Sequence, residues 1–266
     1  MTTGSPTLEH TGGLTFPRVL LSEWTKFRTV RSTKWSLGIA IFLTVAVPLL
    51  PAFAAADRGE NGTTGSPLDF ALVGIYIAQL AIAVLGVLVI TTEYSTGSIR
   101  STFTAVPKRL PVLWAKLIDY ALVSVGLMVP AVLVSFFETQ AILSGLPEFQ
   151  ASLATPGIAR CVLMAPVYVM LVGAFALALG AIVRSTAGAI AIFAGIFFVL
   201  PPVTFLLGST WRDAVLPYLP SEAGRQIFSL DHGVDTLTPL AGGLVFAGYC
   251  AAAIAIAAVL LRRRDV

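Results

Sequence analysis

Apolar stretches long enough to cross a bilayer recur along the chain and are separated by polar intervals. A membrane-spanning helix needs about 20 predominantly apolar residues. The segments that meet this length are residues 36–56, 69–91, 112–137, 158–183, 187–208 and 239–261. Prolines inside several of them are expected to kink the helices, because neighbouring helices can satisfy the carbonyls that proline frees. The pattern predicts an all-α polytopic membrane protein with six transmembrane helices.

Composition agrees with a membrane protein and limits the number of domains. The 266 residues are 56% hydrophobic and 12% charged, whereas soluble domains contain about 25% charged residues. Because apolar stretches fill the chain from residue 36 onward, we predict a single membrane domain over residues 36–266. Residues 1–15 are polar and lack the apolar core of a cleavable signal, so we predict a disordered cytoplasmic tail. Cys161 and Cys250 lie far apart inside apolar stretches, a spacing that suggests no metal site.

The distribution of lysine and arginine predicts how the chain is oriented, because short basic loops stay on the cytoplasmic side. With six spans, both termini share a side, and that side holds 13 of the 17 basic residues. They are Arg18, Lys26, Arg28, Arg31, Lys34, Arg100, Lys108, Arg109, Lys116, Arg184, Arg262, Arg263 and Arg264. We therefore predict a multi-pass protein of the plasma (inner) membrane with its N- and C-termini in the cytoplasm. The net charge of +3 then reflects topology, and nothing in the pattern predicts a nucleic-acid partner.

The segment before the first span is predicted to be one amphipathic helix over residues 16–35. Thr15 suits the N-cap and Pro17 suits the first turn. At about 100° per residue, the apolar side chains of one face are those of Phe16, Leu20, Trp24 and Phe27. A helix of this kind lies in the membrane interface. Periodicity leaves two roles open, an anchor on the membrane surface and a helix that also docks a cytoplasmic partner.

A second short helix, Ser95–Val106, is predicted between the second and third spans. Ile99, Phe103 and Val106 recur at helical spacing and give it an apolar face. A short helix held between two spans cannot enter the bilayer, so this face needs something to pack on. It can lie among lipid headgroups or dock into a groove on a soluble protein, and both roles remain open.

The interval over residues 209–238, on the opposite side of the membrane, is long for a helix connection. It contains Trp211, Tyr218 and Phe228. We predict that it is partly structured as short interfacial helices.

The residues around the predicted loop helix resemble the signature of type 2 ABC transporter permeases. The matching positions are Glu93, Gly97, Ser98, Ile99, Pro107, the basic pair Lys108 and Arg109, and Lys116 before the next span. The stretch Glu23–Arg28 and the closing Arg263–Val266 are similar to the actinobacterial branch of this family. Many members carry an acidic residue shortly after the glycine, where this chain has Arg100. The resemblance covers most of the chain because its pieces occur in order on six spans.

The resemblance implies that the helix over residues 16–35 is a connecting helix and that the loop helix is a coupling helix. Both would sit on a separate ABC ATP-binding subunit. The residues implied in this docking are Glu23, Lys26, Arg28, Glu93, Gly97, Ser98, Ile99, Arg100, Phe103, Pro107 and Arg109. The chain would be the permease subunit of an exporter that moves a lipophilic small molecule, such as a drug, an antibiotic or a lipid, out of the cytoplasm. Two copies of the ATP-binding subunit and a second permease, identical or paralogous, would complete the assembly in the lipid bilayer.

The sequence contains no G-x-x-x-x-G-K-[ST] phosphate loop. We therefore expect ATP and magnesium in the partner subunit, no cofactor or metal in this chain, and no enzyme activity of its own. A non-transporting membrane anchor for a cytoplasmic ATPase would satisfy the same motifs and remains an alternative. An intramembrane enzyme is a weaker alternative, because the two histidines, His10 and His232, lie outside the spans and no hydrolase motif occurs. A secondary transporter would need buried charged sites in repeated halves, which the sequence does not suggest.

A few polar side chains inside the spans are expected to face protein or a cavity. Tyr76, Gln79 and Tyr168 are candidates for a substrate path or for interhelix hydrogen bonds. Asp119 is predicted to pair with Lys116 or Arg109 near the membrane interface, and a role in transport is the alternative.

Overall fold

The computed structural model describes residues 15–59, 65–99, 104, 109–206, 208–230 and 236–264. In chain order, these residues form α1 (Phe16–Thr29), α2 (Arg31–Arg58), α3 (Pro67–Ser95), α4 (Arg109–Ile142), α5 (Ile158–Val183), α6 (Thr186–Thr204), α7 (Ser209–Val215), α8 (Pro220–Arg225) and α9 (Pro239–Arg263). No strand occurs among them. Six of the helices, α2 to α6 and α9, are long and apolar enough to cross a membrane. The predicted all-α polytopic fold is confirmed, and the chain is a multi-pass membrane protein.

α3 and α5 form the centre of the bundle. In their most apolar windows 56% and 67% of residues are buried, whereas α2, α6 and α9 bury only 22–28%. The two central helices cross where glycines face each other, because a Cβ at Gly86 would collide with the backbone of Gly173. A Cβ at Gly173 would collide with the ring of Tyr120 on α4. Small residues therefore set this close approach, as is usual where helices pack in lipid.

The single helix predicted over residues 16–35 is wrong, because α1 ends at Thr29 and α2 begins at Arg31. Val30 between them is extended (φ −71°, ψ 124°), which turns the chain. Thr15 occupies the N-cap and Pro17 the first turn, as predicted. The turn lets α2 enter the bundle while α1 lies across it against α4, where Val19 packs with Val112.

The spanning helices define two ends of the bundle. We call the end that holds α1 and the last residues of α9 the basic end, and the opposite one the far end. At the far end, the predicted short helices are found as α7 and α8, each followed by one 3-10 turn. α8 is not a surface helix, since most of its residues are buried and a Cβ at Gly224 would lie 2.6 Å from the ring of Tyr168. The described part of the interval thus packs into the far end of the bundle through α8.

Candidate functional site

Four charged side chains from α1, α3 and α4 meet inside the basic end of the bundle. We call Glu23, Lys26, Glu93 and Lys116 the charge cluster. Lys116 Nζ donates hydrogen bonds to Glu23 Oε2 at 2.6 Å, to Glu93 Oε1 at 2.7 Å and to the carbonyl of Val89 at 3.2 Å. The side chains of Lys116 and Glu23 are each only 4% exposed. A lysine buried on α4 is therefore neutralised by one carboxylate from α1 and one from α3.

Lys26 lies on the solvent side of the cluster and contacts both glutamates. Its Nζ donates to Glu23 Oε1 at 2.6 Å and to Glu93 Oε1 at 3.1 Å, while its side chain stays 43% exposed. Burial lowers the pKa of Lys26, but the hydrogen bond to Glu23 and the negative charges of Glu93 and Glu23 outweigh it, so the pKa is raised. Lys26 is therefore protonated at neutral pH, and both acidic side chains are bridged by two ammonium groups.

The position of Glu23 on α1 explains how the cluster forms. Val19, Glu23 and Phe27 follow each other at four-residue spacing and are the buried residues of α1. Of the predicted apolar face, Phe27 is buried but Phe16 is 41% exposed. The buried face is therefore turned from the predicted one, because a carboxylate paired with two lysines lies at its centre. Apolar periodicity cannot detect such a face.

A cavity of about 560 Å³ lies beside the charge cluster, between α1, α3 and α4. Its lining includes Glu23, Phe27, Leu88, Glu93, Lys116 and Asp119. Asp119 is 2% exposed, and its Oδ2 has no hydrogen-bond partner among the described residues. The predicted pairing of Asp119 with Lys116 or Arg109 is wrong, since Lys116 bonds to the two glutamates and Arg109 to the end of α9.

Arg109, the first residue of α4, binds the C-terminal turn of α9. Its Nη1 donates to the carbonyls of Leu261 at 3.0 Å and Arg264 at 2.6 Å. Arg264 in turn donates through Nη1 to the carbonyl of Ile182 at the end of α5, at 3.1 Å. These bonds satisfy carbonyls that the ends of helices leave without partners. The ends of α5 and α9 are thereby tied to the start of α4.

The implied docking residues differ in burial, and Lys26 and Arg109 are only partly exposed. Arg28, Gly97 and Ser98 are exposed at the basic end, and the backbone of Gly97 has φ +71° with open space around it. Glu23, Glu93 and Ile99 are instead buried within the chain, Ile99 to 3% exposure. Surface contact through these three side chains is therefore corrected to a role inside the chain. Ser98, Ile99 and Thr104 are helical, in the predicted loop helix, whereas Arg100, Phe103, Val106 and Pro107 lie outside the described residues.

Sequence reasoning missed the role of Lys116, which it placed as a residue leading into the third span and as a possible partner of Asp119. The available signal was its position, because a lysine set among apolar residues at membrane depth requires a partner. Glu23 and Glu93 were recognised, but as residues that contact another subunit. Their pairing depends on α1 lying against α4, which the turn at Val30 makes possible.

Tyr76, Gln79 and Tyr168 are brought together toward the far end. Tyr168 OH donates to Gln79 Oε1 at 2.5 Å, and Gln79 Nε2 donates to the carbonyl of Tyr76 at 2.9 Å. The guanidinium of Arg225, at the end of α8, lies over the ring of Tyr76 at 4.5 Å. Tyr168 is fully buried against Phe228 and Gln79 is 5% exposed. These contacts give the three residues an interhelix role that joins α3, α5 and α8.

Comparison with models of known protein families and with curated protein sequences finds no match for this chain.

Proposed function

We propose that the chain is the permease subunit of an ABC exporter that moves a lipophilic small molecule out of the cytoplasm, driven by a separate ATP-binding subunit. The observation that carries the proposal is the charge cluster, which fixes an amphipathic helix outside the spans to two of the spans. The same end of the bundle holds the short helical segment after α3.

The cluster makes α1, the end of α3 and the start of α4 one mechanical unit. Breaking a buried ion pair by removing one partner costs about 3–5 kcal/mol. A partner that pushes on α1 or on the loop after α3 therefore displaces both spans rather than detaching the helix from them. A subunit that hydrolyses ATP needs such a link, because it can only bias a conformational equilibrium through contacts that differ between the two states.

The exposed residues of the basic end supply the contact surface in this proposal. Arg28 on α1 and Gly97 and Ser98 after α3 are close in the chain to the cluster and open to solvent. The excess of lysine and arginine at this end supports a cytoplasmic location in the plasma membrane, where ATP is available. The largely unburied spans α2, α6 and α9 leave surface for lipid and for a second permease copy.

Orientation can be tested on intact cells with an impermeant maleimide. Cys161 and Cys250 are buried, so single cysteines can be added at exposed serines of the two ends. Ser209→Cys at the far end is expected to be labelled from outside, and Ser98→Cys at the basic end only after permeabilisation. The reverse labelling pattern would contradict a cytoplasmic basic end.

Docking can be tested by affinity purification of the tagged chain from membranes of its native host, with mass spectrometry of what is retained. A protein with a nucleotide-binding phosphate loop is expected, and its yield should fall in the Arg28→Glu, Ser98→Glu double variant. The control is Arg212→Glu, which reverses an exposed charge at the far end. Equal retention in both variants, or tight ATP binding by this chain alone, counts against the proposal.

Export itself is tested in inverted membrane vesicles that contain the chain and the retained ATPase. ATP-dependent accumulation of a lipophilic fluorescent compound is expected from a panel of such compounds. If the ATPase is bound but no compound is moved across a broad panel, the non-transporting anchor is the better description.

A further inference from the structure

The cavity beside the charge cluster is lined by an unbalanced set of charges. Glu23, Glu93 and Asp119 supply three carboxylates, while Lys26 and Lys116 supply two ammonium groups. The two lysines bridge Glu23 and Glu93 in the cluster. Asp119 is the carboxylate left over, so the wall of the cavity lacks one positive charge.

Unused hydrogen-bond acceptors accompany this missing charge. Asp119 is 98% buried, since 2% of it is exposed, and its Oδ2 has no partner among the described residues. Glu93, with 8% exposed, also has one oxygen, Oε2, without a partner there. Buried polar atoms of this kind cost free energy unless something bonds to them. Both residues line the cavity, while these two oxygens themselves are buried. A ligand in the cavity that carries a positive charge and donates a hydrogen bond would offset the negative charge of these carboxylates.

The size and the walls of the cavity decide which cation fits. Among the described residues no group of three or more His, Cys, Asp or Glu is arranged to hold a metal ion. About 560 Å³ is far more than a single water needs and within the range of small-molecule pockets. The remaining walls include Phe27, Val30, Leu88 and Val89. They suit an apolar body.

We propose that this cavity binds a lipophilic organic monocation, with a protonated amine facing Asp119 and Glu93 and an apolar body against Phe27 and Leu88. Binding is a property of this chain alone and needs no ATPase. The binding site can therefore be tested independently of the exporter proposal.

The test uses the purified full chain in phosphatidylcholine nanodiscs and three ligands that share a phenylbutyl body. 4-Phenylbutylamine is cationic, 4-phenylbutanol neutral and 4-phenylbutyrate anionic at neutral pH, and empty nanodiscs correct for partition into lipid. Isothermal titration calorimetry is expected to show the amine binding at least tenfold more tightly than the alcohol, with the acid weakest. Asp119→Asn should lower affinity for the amine at least tenfold and leave that for the alcohol within twofold.

Two further variants separate charge from general disturbance of the fold. Asp119→Glu keeps the negative charge and should keep the preference for the amine. Asp213→Asn removes an exposed carboxylate at the far end and should change nothing. Equal affinity for amine and alcohol in the unmodified protein overturns the proposal, and so does undiminished amine binding by Asp119→Asn.

Discussion

Replacing Lys116 by methionine is expected to loosen α1 from the bundle, because it removes the ammonium group that bridges α1 and α3. Three hydrogen bonds of 2.6–3.2 Å are lost, and two buried carboxylates keep only the half-exposed Lys26 as a counter-charge. Removing one partner of a buried ion pair costs about 3–5 kcal/mol. At about 1.4 kcal/mol per tenfold, the open population of α1 rises roughly a hundredfold to a few thousandfold.

Amide hydrogen exchange read by mass spectrometry measures this population directly, since α1 and α5 give separate peptides. Exchange in α1 should accelerate by at least about a hundredfold in Lys116→Met while the centre of α5 changes little. Lys26→Met is the matched control, because it removes the same kind of group from the same cluster at 43% exposure. An exposed ion pair contributes about 1 kcal/mol or less, so its effect should stay near or below about fivefold.

A rescue experiment distinguishes uncompensated charge from lost packing. If uncompensated charge is the cause, adding Glu23→Gln and Glu93→Gln to Lys116→Met should restore much of the protection of α1. Unchanged exchange in Lys116→Met would show that the cluster does not hold α1. An effect of Lys26→Met as large as that of Lys116→Met would show that burial is not what makes the difference.

The same cluster fixes how the docking of α1 responds to alkaline pH. The pKa of Lys26 is raised above its ordinary value of 10.5. A raised pKa means that its contribution to stability is fully present below about pH 10.5 and is lost only as the pH rises through the higher folded-state value. The protection factor of α1, corrected for intrinsic exchange, should therefore not fall between about pH 7 and 9 on account of Lys26. A decrease of the protection factor between about pH 7 and 9 would contradict the placement of Lys26 between Glu23 and Glu93.

Two predictions concern the packing of the spans, with stability followed by unfolding of the purified protein in mixed detergent micelles. Gly173→Ala should destabilise by about 1–3 kcal/mol, because its Cβ would overlap the buried tyrosine ring on α4. Gly126→Ala, with open space around it, should be neutral or stabilising, and equal effects would refute the close helix approach. Tyr168→Phe should cost about 1 kcal/mol by leaving the buried amide oxygen of α3 without its donor. Tyr249→Phe, at a position 41% exposed, should cost less, and the opposite ranking would exclude an interhelix role for this hydroxyl.

The spans were predictable because crossing a bilayer imposes a length and an apolar composition that a single sequence displays. α5 begins and ends where predicted, at Ile158 and Val183. The start of α1 was also predictable, since the signals at Thr15 and Pro17 are local. Features that depend on one short stretch of chain could therefore be inferred from the sequence.

The candidate site was predictable in its members but not in its arrangement. Glu23 and Lys116 are 93 residues apart, and nothing in either neighbourhood indicates which helices adjoin. Once the extended residue Val30 turns α1 onto α4, the two charges meet, and the carboxylate of Glu23 becomes buried beside the predicted apolar face. Asp119 was predicted to pair with Lys116, the nearest cation along the chain. In the folded chain Lys116 instead pairs with Glu23 and Glu93.

The bonds from Arg109 and Arg264 have a consequence for the order in which the protein is made. The start of α4 is synthesised early, yet the carbonyls it binds belong to the last turn of α9. The carbonyl of Ile182, at the end of α5, likewise receives its hydrogen bond only after Arg264 has been synthesised. Insertion can therefore proceed span by span, but these bonds form only once the end of α9 and Arg264 have left the ribosome. Replacing Arg264 by alanine should accordingly act as an assembly defect, because the carbonyl of Ile182 loses its donor.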